Sequence, residues 1–409
     1  MRRLSVFVGM VSAGMLALMA WTAQAAGEAE APAAEAAPAR GGLYVDPYKN
    51  PLYATLNAFL MGAPDIAGEQ KIKLEVEGFK GKLEVRALLQ DKPAPLAVVL
   101  LGGDGKSAWP LGRLFPYWIN EGLHWNVLYF DATFRPNMVK DLRTGVTGNF
   151  DHECENISKI VAAFLKHKEV QGKVTDVGVV GYSLGATQAM VLARMAADGK
   201  LPFELKAALG FSPPVRLQHT ARILDNFYKM DRFKFTRVEM GLAIMNHDPV
   251  EPGQAIPFDD DFMRAGIGTV IRDEFTEIVD QNDYLFRLKH IPFQEDLPAG
   301  QNRNEMARAW GFTRFMEEMC FPYWQKKGAF KTVDEMWAVG DMTRVMTKLP
   351  PYARAVVCKD DPFCEPGDVD ALVAAVDAKH LVLPETGGHL GYFGSRWCFD
   401  QLATMFRTR

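Results

Sequence analysis

A serine lies between two glycines in the segment Gly181-Tyr-Ser183-Leu-Gly185. An apolar run at 177–180 precedes this segment and a helical pattern follows it, which predicts a strand, a turn and a helix in succession. A sharp turn of this kind strains the serine and exposes its hydroxyl, and it needs the two glycines because the backbones pass closely. The segment predicts a nucleophile at Ser183, with an ordinary glycine-rich turn as the alternative.

A serine hydroxyl needs a base, and His389 has the most suitable setting among the eight histidines. It lies in Thr386-Gly-Gly-His389-Leu-Gly-Tyr, a glycine-rich loop directly after the last predicted strand. An acid that orients the imidazole is expected from Cys358-Lys-Asp360-Asp361-Pro-Phe, which follows the strand predicted at 353–358. The chain order of serine, acid and histidine is the order that such a turn requires.

We call the residues that follow this strand, 359–365, the acid loop. Three of its carboxylates are within reach of His389, namely Asp360, Asp361 and Glu365. Asp361 directly precedes Pro362, and a proline there helps to fix a turn that leaves the strand toward the histidine loop. We therefore predict Asp361 as the orienting acid and expect Asp360 to face solvent or the flank of the sheet.

Acyl transfer also requires two backbone N–H groups directed at the developing oxyanion. The amide of Leu184, directly after the nucleophile, is one candidate, and the amide of Asp104, in the loop after the strand predicted at 96–101, is the other. The same loop contains Gly105-Lys-Ser107, which resembles a phosphate-binding loop, but the required first glycine is replaced by Leu100. We therefore expect no nucleotide.

Composition excludes several other classes of function. The chain has 409 residues with 46 Lys and Arg against 50 Asp and Glu, so it lacks the basic character of nucleic-acid-binding proteins. Neither an HExxH nor a CxxC motif is present, and we expect no metal and no cofactor. The cysteine count is odd, so at least one thiol is unpaired, and the pairing is left open among Cys154, Cys320, Cys358, Cys364 and Cys398.

The N-terminus has the pattern of an export signal. Arg2 and Arg3 precede an apolar stretch at 4–21 and then Ala23-Gln-Ala25, which predicts a signal peptide at 1–25 with an uncleaved anchor as the alternative. The following stretch, 26–42, is mostly Ala, Pro and Glu and predicts a flexible tether. The mature protein is expected to be periplasmic or secreted.

The remaining sequence alternates between strand and helix patterns, which predicts an α/β fold with a doubly wound, mostly parallel sheet. Two strands joined by Lys80-Gly81-Lys82 form an antiparallel start. The predicted strands are 72–79, 83–90, 96–101, 126–130, 176–180, 207–211, 353–358 and 381–383. The predicted helices are 111–122, 151–167, 184–197, 369–377 and 395–406.

The alternation stops between the sixth and seventh predicted strands, where aromatic residues, methionines and helical patches at 308–327 and 333–346 replace it. We predict a helical lid at 213–346, inserted between two parts of the core at 43–212 and 347–409. Its aromatic residues and methionines are expected to line an acyl-binding pocket.

Residues from about 96 to the C-terminus resemble an α/β-hydrolase, most closely the YheT-like (ABHD-type) branch and the neighbouring serine aminopeptidase group. The likeness is carried by Gly-Tyr-Ser183-Leu-Gly-Ala, Lys-Asp-Asp361-Pro-Phe and Gly-Gly-His389-Leu-Gly-Tyr. It implies a nucleophile at Ser183, an acid at Asp361, a base at His389 and a cap after the sixth strand. The chain departs from these families at Leu101-Gly-Gly103, where they usually have His-Gly.

Together these observations predict an exported serine hydrolase that forms an acyl-enzyme on a small-molecule or lipid-like carboxylic ester. Peptidase and acyltransferase activity would use the same three residues and stay open as alternatives. A non-catalytic binding protein on the same fold is the alternative from another class.

Overall fold

The computed structural model describes residues 44–63, 65–103, 105–229, 255–298 and 300–406. The predicted signal peptide and tether lie outside the described residues. Among the described residues, no helix combines the length and apolar character needed to cross a membrane.

Eight strands form a single sheet at the centre of the described chain. The strand order is β1-β2-β4-β3-β5-β6-β7-β8; β2 is antiparallel to both of its neighbours and all the other pairs are parallel. The strands are β1 Gln70–Leu74, β2 Leu83–Leu88, β3 Ala94–Leu100, β4 Asn126–Tyr129, β5 Val174–Tyr182, β6 Ala207–Phe211, β7 Ala353–Val356 and β8 Leu381–Val382. The predicted doubly wound sheet with an antiparallel start is confirmed.

Helices cover both faces of the sheet because its central strands are apolar on both sides. One buried cluster joins the sheet to α4 and α5, and a second joins its other face to α2 and α14. The core helices are α1 Pro51–Leu60, α2 Pro110–Tyr117, α3 Pro136–Leu142, α4 Phe150–Leu165, α5 Leu184–Ala197, α13 Asp368–Ala375 and α14 Arg396–Ala403. A π-helical turn, Trp118–Gly122, continues α2.

Between β6 and β7 the described residues form helices and the loops that connect them, without a strand. The helices are α6 Leu217–Tyr228, α7 Asp260–Phe286, α8 Arg303–Arg308, α9 Phe312–Arg314, α10 Phe321–Lys326, α11 Val333–Ala338 and α12 Met342–Val345, with a π-helical stretch, Phe315–Cys320, between α9 and α10. The longest, α7, packs against α1, α3, α6 and α8. We call residues 213–346 the lid, as in the sequence prediction.

A third apolar cluster joins the lid to the core at the carboxyl edge of the sheet. Leu52 and Leu56 of α1 contact Met263 and Ile267 of α7, and Phe363, which follows β7, belongs to the same cluster. The carboxyl ends of parallel strands are where α/β folds place their ligands. Helix α1 and the lid therefore meet at the edge where a site is expected.

Candidate active site

Ser183 forms the turn between β5 and α5. Its backbone has φ +53° and ψ −126°, a conformation that is strained for any residue with a side chain. The strand fixes one side of the turn and the helix the other, and the Ser183 N–H donates to the carbonyl of Phe211 at 2.8 Å. The surrounding structure thus holds the serine in its strained geometry.

The two glycines of the motif leave no room for a side chain. A Cβ at Gly181 would lie 2.1 Å from the Gly185 carbonyl oxygen, and a Cβ at Gly185 would lie 2.2 Å from that of Leu100. Both neighbours are backbone atoms of the sheet and the helix, so neither can move aside cheaply. This is the steric reason for glycine that the sequence motif predicts.

Three side chains form a hydrogen-bonded chain at the turn. Ser183 Oγ lies 3.0 Å from His389 Nε2, and His389 Nδ1 lies 2.8 Å from Asp361 Oδ2. Both His389 and Asp361 are buried, whereas Ser183 is partly exposed. The structure therefore brings together the predicted nucleophile, base and acid in the arrangement needed for proton transfer from a serine hydroxyl.

The second oxygen of the acid is also bonded. Asp361 Oδ1 accepts a hydrogen bond from the Phe363 N–H at 2.9 Å, which fixes the rotation of the carboxylate. The Phe363 ring lies 4.3 Å from the imidazole ring of His389, centroid to centroid, and covers one side of it. The acid loop thus restrains both the carboxylate and the imidazole.

Asp360 corrects one expectation from the sequence. It does not face solvent or the flank of the sheet; its carboxylate is half-buried and accepts from the N–H groups of Gly387 at 3.2 Å and Gly388 at 2.9 Å. Burial raises the pKa of Asp360, while the two glycine amides act in the opposite direction. The sequence could not show this because the contact depends on how two loops approach each other.

The remaining carboxylate of the acid loop points elsewhere. Glu365 pairs with His219 and Arg222 of α6, each at 3.3 Å. Its contacts are therefore with the lid and not with the imidazole of His389.

Leu184 is the first residue of α5, and its side chain lines the cavity beside Ser183. Asp104, the other predicted oxyanion donor, lies outside the described residues. The preceding glycines of its loop are close to the turn: a Cβ at Gly102 would be 3.4 Å from Ser183 Cβ, and one at Gly103 would be 3.1 Å from Leu184 Cδ2. The described part of this loop therefore lies against the serine.

An apolar cavity opens onto Ser183 and His389. The space between its walls, together with the open solvent at its mouth, is about 930 Å³. None of the described residues that line it is an Asp, Glu, Lys or Arg, and Thr220 uses its hydroxyl to donate to the Phe363 carbonyl. The other lining residues are Phe59, Gly103, Phe134, Phe150, Leu184, Pro214, Leu217, Ala221, Leu224, Ile271, Phe275, Ile278, Phe312, Phe315, Met316, Trp337 and Phe363.

A buried carboxylate connects α4 to α5, the helix that follows Ser183. Glu153 of α4 accepts hydrogen bonds from Thr133 Oγ1 at 2.8 Å, Gln188 Nε2 at 2.9 Å and the Gly148 N–H at 2.7 Å. Burial raises the pKa of Glu153 to about 7, although these donors favour its charged form. The network connects α4 and α5 to Thr133, which directly precedes Phe134, a residue of the cavity wall.

The five cysteines are free thiols in the structure. Burial raises the pKa of each of them, which keeps the thiols protonated and weakly nucleophilic. Within the described ranges, no group of three or more His, Cys, Asp and Glu residues could hold a metal ion.

Sequence reasoning missed the contribution of α1. Thr55 accepts a hydrogen bond from the His389 N–H at 2.8 Å, and Phe59 lines the cavity. The helix itself had a usable sequence signature, because Asn50 caps it and Pro51 is its first residue. Its place beside the histidine loop had none.

Comparison with known proteins gives distant structural neighbours. No protein-family model matches the chain, and no curated protein does. A 2,6-dihydroxy-pseudo-oxynicotine hydrolase shares 14% identity with TM-score 0.43, covering 86% of this chain and 71% of the other. An esterase of Pyrococcus furiosus shares 13% with TM-score 0.43, covering 85% and 96%, and a carboxylesterase of Bacillus subtilis shares 10% with TM-score 0.43, covering 87% and 96%.

At these identities and TM-scores, the neighbours carry no argument about activity. The fold is shown by the chain itself: the strand order, the antiparallel second strand and the strained serine between β5 and α5. The described residues of this chain have the α/β-hydrolase fold, with a helical insertion between the sixth and seventh strands.

Proposed function

We propose that this protein is a serine hydrolase that forms an acyl-enzyme on uncharged carboxylic esters with an apolar acyl group. The observation that supports it most is the hydrogen-bonded chain from Ser183 through His389 to Asp361, at the head of a cavity whose described lining is apolar. The narrower resemblance to YheT-like proteins and serine aminopeptidases belongs to this proposal as well.

In the proposed first step, Ser183 Oγ attacks the ester carbonyl carbon while His389 Nε2 takes the hydroxyl proton. Asp361 stabilises the imidazolium that forms. The tetrahedral intermediate then collapses, the bond to the alcohol oxygen breaks, and His389 gives its proton to that oxygen. Water deprotonated by His389 next attacks the acyl-enzyme, releasing the carboxylic acid and restoring the serine.

The oxyanion would be held by backbone N–H groups. The Leu184 amide belongs to the first residue of α5, where N–H groups and the helix dipole favour a negative charge. We assign the second donor to the amide of Asp104. Its loop is anchored on the carboxyl side, because the Gly105 carbonyl accepts from the Ala132 N–H at 2.9 Å and Lys106 pairs with Glu274 of α7 at 3.4 Å.

The lining of the cavity favours esters over peptides. A peptidase that acts at a free N-terminus needs an anion for the substrate ammonium group, and the described lining offers none. Seven phenylalanines and Trp337 instead offer a surface suited to an alkyl or aryl acyl group. Each methylene buried there contributes about 0.8 kcal/mol, which is about a factor of four in kcat/KM.

The experiment is a chain-length series of p-nitrophenyl esters together with aminoacyl arylamides, measured on the purified protein and on Ser183→Ala. We expect kcat/KM to rise by about fourfold per methylene until the cavity is filled. Arylamides should react far more slowly, and a fluorophosphonate should label Ser183. A protein that hydrolyses none of the esters and is not labelled would instead be a binding protein on this fold.

We also propose, from the sequence alone, that the chain is exported and cleaved after Ala25. Mass spectrometry of the protein recovered from the periplasm or medium should find Ala26 as its first residue. Recovery of a chain that still begins with Met1 would favour the uncleaved anchor.

A further inference from the structure

The loop that carries His389 has three residues with positive φ. Gly387 has φ +139°, Gly388 has φ +55° and Leu390 has φ +70°, all in the left-handed region. A leucine adopts this conformation only where its surroundings impose it. One backbone hydrogen bond, from the Gly391 N–H to the Gly387 carbonyl at 2.9 Å, closes the loop around the proposed catalytic histidine, and the remaining support comes from other parts of the chain.

Side chains supply that support. Four consecutive N–H groups, at residues 387–390, each donate to a side-chain oxygen. Asp360 accepts from the first two, Thr55 from His389 itself, and Ser212 from Leu390 at 3.3 Å. These three residues come from the acid loop, from α1 and from the end of β6, so the loop is fixed at a junction of three segments.

Thr55 holds the amide of the catalytic histidine. Its side chain is fully buried, and its hydroxyl donates to the Pro51 carbonyl at 2.6 Å within α1. Because the hydroxyl proton is used there, the lone pairs of Oγ1 are left to accept from the His389 N–H. A Cβ at Gly388 would lie 2.2 Å from the Pro51 carbonyl oxygen, so the loop rests directly on the first turn of α1.

The same helix reaches the other parts of the site. Leu52 and Leu56 belong to the apolar cluster that includes Phe363 of the acid loop and Met263 of the lid. Phe59, one turn beyond Thr55, lines the cavity. Helix α1 therefore contacts the loop that carries His389, the cluster containing Phe363, and the lid.

We propose that Thr55 is a positioning residue for His389, and that α1 is through it a functional part of the hydrolase site. This inference rests on the proposed function, since positioning matters only if His389 moves a proton. Without the hydroxyl, the buried His389 N–H loses its acceptor and the loop relaxes away from α1. The imidazole Nε2 then no longer stays at 3.0 Å from Ser183 Oγ.

The test compares Thr55→Val, which keeps the shape and removes the hydroxyl, with Thr55→Ser, which keeps the hydroxyl. Thr276→Val is the matched control: Thr276 is a buried residue of α7 whose hydroxyl also donates to a carbonyl of its own helix, that of Arg272, and it does not line the cavity. The readouts are kcat and KM on a short-chain ester, the melting temperature, and the low-field proton NMR signal of His389 Nδ1–H in histidine-labelled protein. The NMR signal does not depend on turnover.

We expect Thr55→Val to lose about ten- to hundredfold in kcat with little change in KM, as for a small displacement of a catalytic group. Its low-field signal should broaden, because the Nδ1 proton that His389 donates to Asp361 exchanges faster with water. Thr55→Ser should restore kcat to within about threefold, and Thr276→Val should keep wild-type kcat.

A Thr55→Val protein with wild-type kcat and an unchanged low-field signal would overturn the proposal. So would a Thr55→Ser protein as slow as Thr55→Val, or a Thr276→Val protein as slow as either, since both results would assign the loss to packing or stability. If the unmodified protein neither turns over an ester nor reacts with a fluorophosphonate, the proposed function fails. The low-field signal of the three variants then still decides whether Thr55 positions His389.

Discussion

Replacing Asp361 with asparagine should disable the site through the tautomer of His389. Asp361 Oδ1 accepts from the Phe363 N–H, so in Asp361→Asn the amide oxygen takes that place and the NH₂ group faces His389 Nδ1. Two donors cannot share a hydrogen bond, and the imidazole must therefore carry its proton on Nε2. That proton then points at Ser183 Oγ. The proposed mechanism instead requires a lone pair on His389 Nε2, which accepts the proton of the serine hydroxyl.

The expected loss is about 10⁴-fold in kcat with the fold intact, because both the correct tautomer and the stabilisation of the imidazolium are removed. Asp361→Ala provides an independent check of the reasoning. It also removes the charge, but it leaves the imidazole free to protonate on either nitrogen. The alanine variant should therefore be more active than the asparagine variant, although it is the larger truncation.

The assay measures kcat on a p-nitrophenyl ester, the rate of fluorophosphonate labelling and the melting temperature. Glu365→Gln is the matched control, since it removes a charge from the same loop at a side chain bonded to the lid. Asp360→Asn should fall between them, at about tenfold below wild type, because its NH₂ group would replace one of the two oxygens that accept from the N–H groups of Gly387 and Gly388. Asp361→Asn retaining more than about a tenth of wild-type kcat would refute the tautomer argument.

Three further predictions follow from the packing and the electrostatics. Gly185→Ala should lower the free energy of unfolding by about 3 kcal/mol or more, because its Cβ would meet the Leu100 carbonyl. Its control is Gly199→Ala, whose Cβ would have nothing within 4 Å. That variant should lose only about 1 kcal/mol in urea titrations, because of its positive φ. Trp337→Leu enlarges the cavity on the lid side, so kcat/KM should rise for long-chain esters relative to acetate, and a uniform loss on all esters would contradict a specificity role. Burial raises the pKa of Glu153 from 4.5 to about 7, so the folded state binds the extra proton and stability should fall as pH rises through this window; relative to Glu153→Gln, the wild type should lose on the order of 3 kcal/mol between pH 4.5 and pH 8.

The order and type of the sheet elements were predictable because the central strands are apolar runs, the first two strands alternate between polar and apolar residues, and the predicted core helices have an apolar face. Helix α5 and strand β6 have the predicted bounds, Leu184–Ala197 and Ala207–Phe211. Strand β5, by contrast, extends to Tyr182, two residues beyond its predicted end, because Gly181 and Tyr182 still pair with Gly210 and Phe211 of β6. Hydrophobic periodicity finds the buried part of an element, whereas its ends depend on the neighbouring strand or cap.

Two core helices escaped the sequence prediction for different reasons. Helix α1 precedes the sheet and packs against the lid and two loops, so no alternation with a strand marks it. Helix α3, Pro136–Leu142, is only seven residues long and lies in a region that the alternation of strands and helices assigns to a connection. In both, a proline at the first position was the available local signature.

The three side chains of the hydrogen-bonded chain could be selected from the sequence because each occupies a turn that leaves a local pattern: glycines around Ser183, a proline after Asp361, glycines before His389. Their supports leave no such pattern. Thr55 is 334 residues from His389, whose amide it holds, and Ser212 is 178 residues from Leu390, whose amide it holds. Each is an ordinary hydroxyl residue in its own segment. In the proposed function, these hydroxyls act only because α1 and the end of β6 meet the loop that carries His389. Substitutions at such positions should therefore reduce activity in chains whose motifs are intact, and motif inspection alone would assign those chains full activity.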